Sequence, residues 1–422
     1  MAKRGNLTVL FAMIMLILMS GNVWAGKRGG SFDGCNDAGE PKAIKDWTVL
    51  VFLNADNDLD RYGVTDVNEM EKVGSTDRMN VVVLLDRQYG VARKLYITKD
   101  SDENNITSQV VEELGDYDMG SYKNLVDFVA WGVKNYPAKH YVVDIWNHGS
   151  GWWKNRAITI KGISYDDQSG NHITVPQLGE AMASIYQILG KRLDILAMDA
   201  CLMQMAEVCY EFKDYVRFCS ESEDSEPCDG YTYDDFLGAL AKDPSMDASV
   251  LVKVMAQSYT AHYAAKNESC TQSVLDLTQL DSFIAKLNQL CAKLNGLMSD
   301  KTVVAAIRNQ VRVNAQAFYL KTNIDLGHFL TLVQNNVKNV EVQALAAEAL
   351  ALYGAGQNPL ISGNYINGAS MKNATGLAIH FHSTMIPGKD YETNKFARET
   401  NWLPFLKTYI TAAASYDWYE KH

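Results

Sequence analysis

The chain has 422 residues, 47% of them hydrophobic and 21% charged, with 50 acidic against 39 basic side chains and a formal net charge of −11. That composition excludes a disordered or fibrous chain and leaves room for a large core spread over two or three domains. The negative balance argues against a nucleic-acid surface and mildly favours cationic partners.

The chain opens with Lys3 and Arg4, an apolar run from Leu7 to Met19, and a small-residue exit at Gly21 to Ala25. This is the pattern of a secretory signal peptide, with cleavage expected after Ala25. The run is shorter than a comfortable membrane span, and nothing beyond it is long and apolar enough to cross a bilayer, so no stable membrane insertion is expected once it is removed. Cys35 lies too far past it, behind Phe32-Asp33-Gly34, to be a lipid-attachment cysteine. The expectation is an exported bacterial protein, periplasmic or secreted. Residues 26–45, rich in Gly, Lys and Asp, read as a flexible leader.

From there, apolar strands alternate with helical patterns. Trp47 to Leu53 is a buried strand, followed by Asn54 to Asp60 and a helix through Lys72. Met79 to Leu85 is a second strand and Arg93 to Thr98 a more exposed one. A helix from Tyr122 to Tyr136 feeds the strand Tyr141 to Trp146; a helix from Val175 to Leu189 feeds the strand Leu193 to Met198. A helix from Leu202 to Phe212, a short strand from Tyr215 to Cys219 and a helix from Tyr233 to Leu240 follow. Strands apolar on both faces, alternating with helices, describe a parallel α/β sheet covered on both sides. Past Leu280 the texture becomes mainly helical, with one apolar strand at Gly376 to Phe381 that could return to the sheet and make a composite unit. The expected organisation is a signal peptide over 1–25, a leader over 26–45, a catalytic domain over 46–278 and an α-rich region with a returning strand over 279–422.

Ligands bind outside the carboxyl ends of parallel strands. Four segments leave strands at that rim: Asn54 to Asp60, His148 to Trp152, Asp199 to Cys201, and Ser220 to Asp229. Taken alone, His148 reads as a structural loop histidine and Cys201 as a buried core thiol. Their joint placement points to a cysteine nucleophile with a base or acid beside it. With the next helix expected to begin just after it, Cys201 should sit at a helix N-terminus, where free N–H groups favour thiolate. The backbone N–H groups of Gly149 and Cys201 could form an oxyanion hole.

Glu221 to Asp229 holds five acids on the same rim. One could enter a pocket for a Lys or Arg side chain while most remain exposed, as acids on solvated loops usually are. Asp56, Asp58 and Asp60 alternate like the start of a calcium loop, but Arg61 and Val67 stand where that motif needs Gly and Glu, so a cap for the following helix explains them instead. His380 and His382 share a strand face without further ligands for a metal. Seven cysteines allow three disulfides and one free thiol; lone buried thiols are the reading for most of them.

The ordered segments Leu53 to Leu59, Asn147-His148-Gly149-Ser150-Gly151-Trp152, Ile163 to Asp167, Asp199-Ala200-Cys201, Ser220 to Tyr231 and Thr375 to Ile379 resemble the clostripain family of cysteine peptidases, relatives of caspases, gingipains, legumain and separase. The resemblance implies a caspase-like sheet flanked by helices and an endopeptidase cutting protein or peptide substrates after Arg or Lys. It implies His148 and Cys201 as the catalytic dyad, Asp199 at the base of the specificity pocket and Asp229 as a second pocket acid. It also implies a zymogen nicked between the His and the Cys, with Lys161, Arg156 and Lys154 as candidate sites; some members depend on calcium, which leaves that cofactor open here. Two alternatives stay open: a catalytically silent relative acting as a surface binding module, and an amidase or transpeptidase using the same dyad.

Overall fold

The residues from Lys45 to Trp146 build one half of a twisted sheet. In the computed structural model, which describes residues 43–152 and 162–421, they form β1 (Lys45–Ala55), α1 (Asp60–Val73), β2 (Met79–Arg87), β3 (Ala92–Tyr96), β4 (Gln109–Gly115), α2 (Tyr122–Asn135) and β5 (Ala138–Trp146). Next come a small hairpin of β6 (Ile163–Asp166) and β7 (Asn171–Ile173), α3 (Val175–Leu189), β8 (Leu193–Asp199), α4 (Ala206–Phe212), β9 (Val216–Glu221), α5 (Tyr233–Lys242), α6 (Ala248–Ala265) and β10 (Cys270–Asp276). The remainder holds α7 (Leu280–Asn295), α8 (Lys301–Ala306), β11 (Asn323–Asp325), α9 (Leu326–Asn336), α10 (Val340–Leu350), β12 (Ile361–Asn367), β13 (Ala378–His380), α11 (Lys395–Glu399) and α12 (Trp402–Lys421).

Nine strands make the main sheet in the order β12-β10-β9-β8-β5-β1-β2-β3-β4. The central five, β9-β8-β5-β1-β2, run parallel, and antiparallel strands close both edges. This is the expected mostly parallel sheet flanked by helices. Alternate residues of each central strand enter opposite cores. Leu50 and Phe52 of β1 join Leu196 and Met198 of β8 on one face, against α2 and α3. Val49, Val51 and Leu53 join Ile195 and Ala197 on the other, against α1, α5 and α6. Burying both faces is what makes the inner stretches of these strands mostly apolar.

Several elements fall where the sequence places them because their end signals are strong. A Thr174–Gln177 capping box opens α3 and Gly190, in a left-handed conformation, closes it. The acids before α1 do not cap it: its N-cap is Leu59, with no side-chain bond, and Asp60 instead holds Arg87 at 2.7 Å. The strand that reaches the main sheet from the C-terminal region is β12, antiparallel to β10. The stretch at Gly376 to Phe381 contributes β13, which pairs with β11 in a separate two-stranded ribbon. The expected boundary near residue 278 falls in the helical turn Leu277–Gln279 between β10 and α7, and the core on the α2/α3 face runs on without a break into α7, α9 and α12.

Candidate active site

Strand register decides what meets at the rim. β5 and β8 are parallel neighbours whose last paired residues are Trp146 and Asp199, so His148 and Cys201 each stand two positions past the same rung. Asn147 ties the two loops to the sheet: its N–H donates to the Asp199 carbonyl at 3.2 Å and its side-chain amide donates to the Asn54 carbonyl at 2.6 Å. Gly149 then packs so tightly on the second loop that a Cβ there would lie 2.3 Å from the Cys201 carbonyl oxygen. Only a residue without a side chain fits that approach.

The segment after Cys201 is not yet helix. Leu202 has φ of 64°, an unusual value for a residue with a branched side chain, and its N–H donates to the Asp224 carbonyl at 3.0 Å. Such a backbone costs about 1–3 kcal/mol and persists where its surroundings enforce it. Helix α4 begins only at Ala206, so the expected helix N-terminus behind the thiol is not there. Cys201 is half-buried, accepts the Glu226 N–H at 3.2 Å and points toward the Glu226 carbonyl at 3.9 Å. Burial, then the nearby Glu226 carboxyl, push its thiol up to about 12; Asp199 contributes least. Burial therefore favours the neutral thiol, and the helix terminus from which the sequence suggested a lowered thiol is absent.

His148 lies across the same hollow, its Nε2 2.7 Å from Oδ1 of the exposed Asp58. That carboxylate is positioned to fix the ring's orientation, a role the sequence did not signal. The hollow has a volume of about 50 Å³ and is lined by His148, Cys201, Asp199, Glu226, Trp146 and Cys228 among others.

Below the hollow is a nest of buried acids. Asp199 accepts the Tyr231 N–H at 2.9 Å and the Tyr233 hydroxyl at 3.2 Å, and its carboxyl is hydrogen-bonded to that of Glu226. Gly230, with φ of 60°, lies so close that a Cβ would come within 2.6 Å of Asp199 Oδ2. Asp144, accepting the Tyr233 hydroxyl at 2.6 Å, and Asp66, accepting the Trp146 indole at 2.6 Å, adjoin it. Asp229 is outside the hollow: exposed, with its carboxylate 2.7 Å from Lys266 Nζ. The five acids of Glu221 to Asp229 are not mostly exposed. Glu221, Glu223 and Asp224 are buried, Glu221 against Cys209 and Asp224 receiving the Tyr319 N–H at 2.6 Å. A signal for this was present in β5, where Asp144 interrupts an otherwise apolar run.

Burial has a consequence for stability. It pushes Asp144, Glu69, Asp86 and Glu207 up to about 7 and Asp199 up to about 6. Each binds its proton more tightly folded than unfolded, so folding takes up protons between the ordinary carboxyl range near 4 and pH 7. Stability should fall as pH rises through that window. Thermal melts from pH 5 to 8 check it: the midpoint is expected to drop, and a rising midpoint contradicts it.

Among the described residues two clusters have the donor types for a metal: Asp56, Asp86 and Asp166, and Cys209, Cys219 and Glu221, in each case with ligand atoms within 4.8 Å of one another. The three aspartates suit calcium by donor hardness. Both oxygens of Asp56 already accept from Gln168, however, and those of Asp166 from Ser169 and Met119. The expected alternation Asp56, Asp58, Asp60 does not form one site, since Asp58 turns to His148 and Asp60 to Arg87. His380 is buried beside Trp152 and Tyr391, while Nδ1 of His382 accepts two backbone N–H groups, so they do not form a ligand pair. Among the described residues the six cysteines are all free thiols; Cys35 and the candidate processing residues Lys154, Arg156 and Lys161 lie outside the described residues, as does the signal segment.

The sequence profile of the Clostripain family (Peptidase_C11) matches residues 51–409. Over 198 residues the chain is 28% identical to clostripain of Hathewaya histolytica, covering 39% of this chain and 36% of that protein, so only about a third of that curated relative is spanned. Among solved structures, a secreted C11 cysteine protease from Bacteroides thetaiotaomicron with an irreversible peptide inhibitor is similar at a TM-score of 0.62 and 19% identity, over 87% of this chain and 99% of that one. An inactive zymogen C11 protease from Parabacteroides distasonis is similar at 0.60 and 18%, over the same shares. The caspase-like sheet expected from the sequence is the fold they have in common with this chain.

Proposed function

The chain belongs to the clostripain family, and from that premise we propose that it is an exported cysteine endopeptidase cleaving after Arg or Lys. The observation that supports this most is the seating of Gly149 against the Cys201 carbonyl, which brings the imidazole loop and the thiol loop together over an acid-lined hollow. In this reading Cys201 attacks the carbonyl that follows the basic residue, His148 takes the thiol proton and delivers it to the leaving amine, and water then hydrolyses the thioester. The Gly149 and Cys201 amides receive the oxyanion. Asp199 meets the substrate cation.

The export part of this reading rests on the signal-peptide pattern at residues 1–25; no helix among the described residues is long and apolar enough to cross a membrane. Autoprocessing at Lys161, Arg156 or Lys154 would cut between the two catalytic loops. Mass spectrometry of wild type beside Cys201→Ala reads both, since a nick that needs the chain's own thiol disappears in the variant.

Cleavage of a peptide library with all residues represented at P1 tests the specificity. Products ending in Lys or Arg are expected; cleavage after neutral residues, unaffected by altering Asp199, would favour an amidase or transpeptidase. A silent binding module is the second reading, favoured by the small hollow of about 50 Å³ and by the burial that raises the Cys201 thiol. Absence of Cys201 labelling by a Lys or Arg chloromethyl ketone would move the reading there.

The close approach at Gly149 gives a further expected result. In Gly149→Ala the new methyl must push the Cys201 carbonyl aside, and a displacement near 1 Å at a reacting group costs about a hundredfold in rate. The fluorogenic kcat should fall by at least that order and the melting midpoint should drop as well; an unchanged kcat would show that the two loops do not act together.

A further inference from the structure

The peptidase reading leaves the second acid of the basic-residue pocket to be identified, and Asp229 is exposed and engaged by Lys266. We propose that Glu226 is that acid: in the unliganded molecule its carboxyl lies against Asp199 and fills the hollow, and an incoming guanidinium or ammonium group takes its place between the two. This assignment rests on the peptidase reading and deepens it.

Three independent features converge on Glu226. Its backbone is fixed beside the nucleophile, donating its N–H to Cys201 Sγ at 3.2 Å. Its side chain turns inward, so that the residue is half-buried overall while its carboxyl is hydrogen-bonded to Asp199 at the floor. It also lines a hollow of about 50 Å³, far below the roughly 300 Å³ at which small-molecule pockets begin. A Lys or Arg side chain that pairs with Asp199 must therefore part it from the Glu226 carboxyl that lies against it.

Chemistry gives the displaced group a second use. Two carboxyls in contact must share a proton, because desolvation and like charge forbid both from ionising. A cation entering between them replaces that proton, and both carboxylates become its partners, the arrangement in which charge-assisted bonds are strongest. The proton lost goes to solvent. Only the Glu226 side chain has to move, because its backbone stays held by Cys201 and the turn is closed by the Gly230 N–H on the Pro227 carbonyl at 3.1 Å.

The test compares kcat/KM on matched fluorogenic peptides with Lys or norleucine at P1, for wild type, Glu226→Gln, Glu226→Asp and Asp229→Asn, with thermal melts of each. Glu226→Gln is expected to lower the Lys-over-norleucine ratio by about tenfold to a hundredfold, mainly through KM. Glu226→Asp, which keeps the charge, retains most of the ratio, and Asp229→Asn lowers it less than Glu226→Gln does. An intact ratio in Glu226→Gln, or a larger loss in Asp229→Asn, overturns the assignment while leaving the peptidase reading standing. A wild type that cleaves both peptides equally overturns the basic specificity and this assignment together. If Glu226→Gln melts too low to assay, Asp229→Asn decides: a loss of the Lys-over-norleucine ratio of about tenfold or more overturns the assignment, and a kept ratio supports it.

Discussion

Replacing Cys201 with alanine should lower kcat on a peptide with Lys or Arg at P1 by roughly four to six orders of magnitude, with the melting midpoint nearly unchanged. The side chain is half-buried and makes one close contact, the Glu226 N–H at 3.2 Å, so little stability is lost. His148→Ala should cost a comparable factor, and the double variant little more, because groups that act as a unit are not additive. Cys228 is the control: its exposed thiol lines the same hollow, and activity surviving in Cys201→Ala but lost on further changing Cys228 would transfer the nucleophile's role. The protonated resting thiol adds a pH signature. With the Cys201 thiol pushed up to about 12, its alkylation by iodoacetamide in the unliganded protein should climb about tenfold per pH unit between 7 and 10. A plateau near pH 7, read by mass spectrometry of the Cys201 peptide, would show that the thiolate is already formed.

What the sequence made legible was whatever rested on burial of whole elements. The inner stretches of β1, β5 and β8 are mostly apolar because both of their faces are covered, and their parallel order then puts His148 and Cys201 at one rim. What it hid was buried polarity. β10 reads Cys-Thr-Gln-Ser-Val-Leu-Asp, unlike an inner strand, yet Thr271, Gln272 and Ser273 are buried. Their side chains bond one another's neighbours, Ser222, Tyr231 and Gln204, and such satisfied networks leave no apolar pattern to read. β4 escaped for the opposite reason, being an exposed edge strand with charged residues. Glu221, Glu223 and Asp224 looked like a solvated loop because local composition cannot reveal what packs over it. The helix expected from Leu202 starts four residues later because the left-handed Leu202 and its bond to Asp224 hold the intervening turn open.

The same buried polarity sets up an expected conflict between stability and activity at Asp199. Asp199→Asn should lower kcat/KM toward Lys and Arg substrates by a few tens to several thousandfold, the range for truncating one partner of a buried charge pair. Yet it should raise the thermal midpoint at pH 8. After burial, Asp199 is the next cause lifting Asp66 and Asp144 above the carboxylate range, so a neutral amide in its place relieves both. The amide can still accept the Tyr231 N–H that Asp199 now receives at 2.9 Å. The stabilisation should shrink toward pH 5, where the acids are protonated in the folded chain and the charge is absent anyway. Losing both activity and stability at pH 8 would mean that Asp199 is a structural acceptor first and that its charge is not held in reserve for a substrate. Losing activity while gaining stability is the pattern of a site kept strained for its ligand, with the cation of the P1 residue supplying the compensation the resting protein lacks.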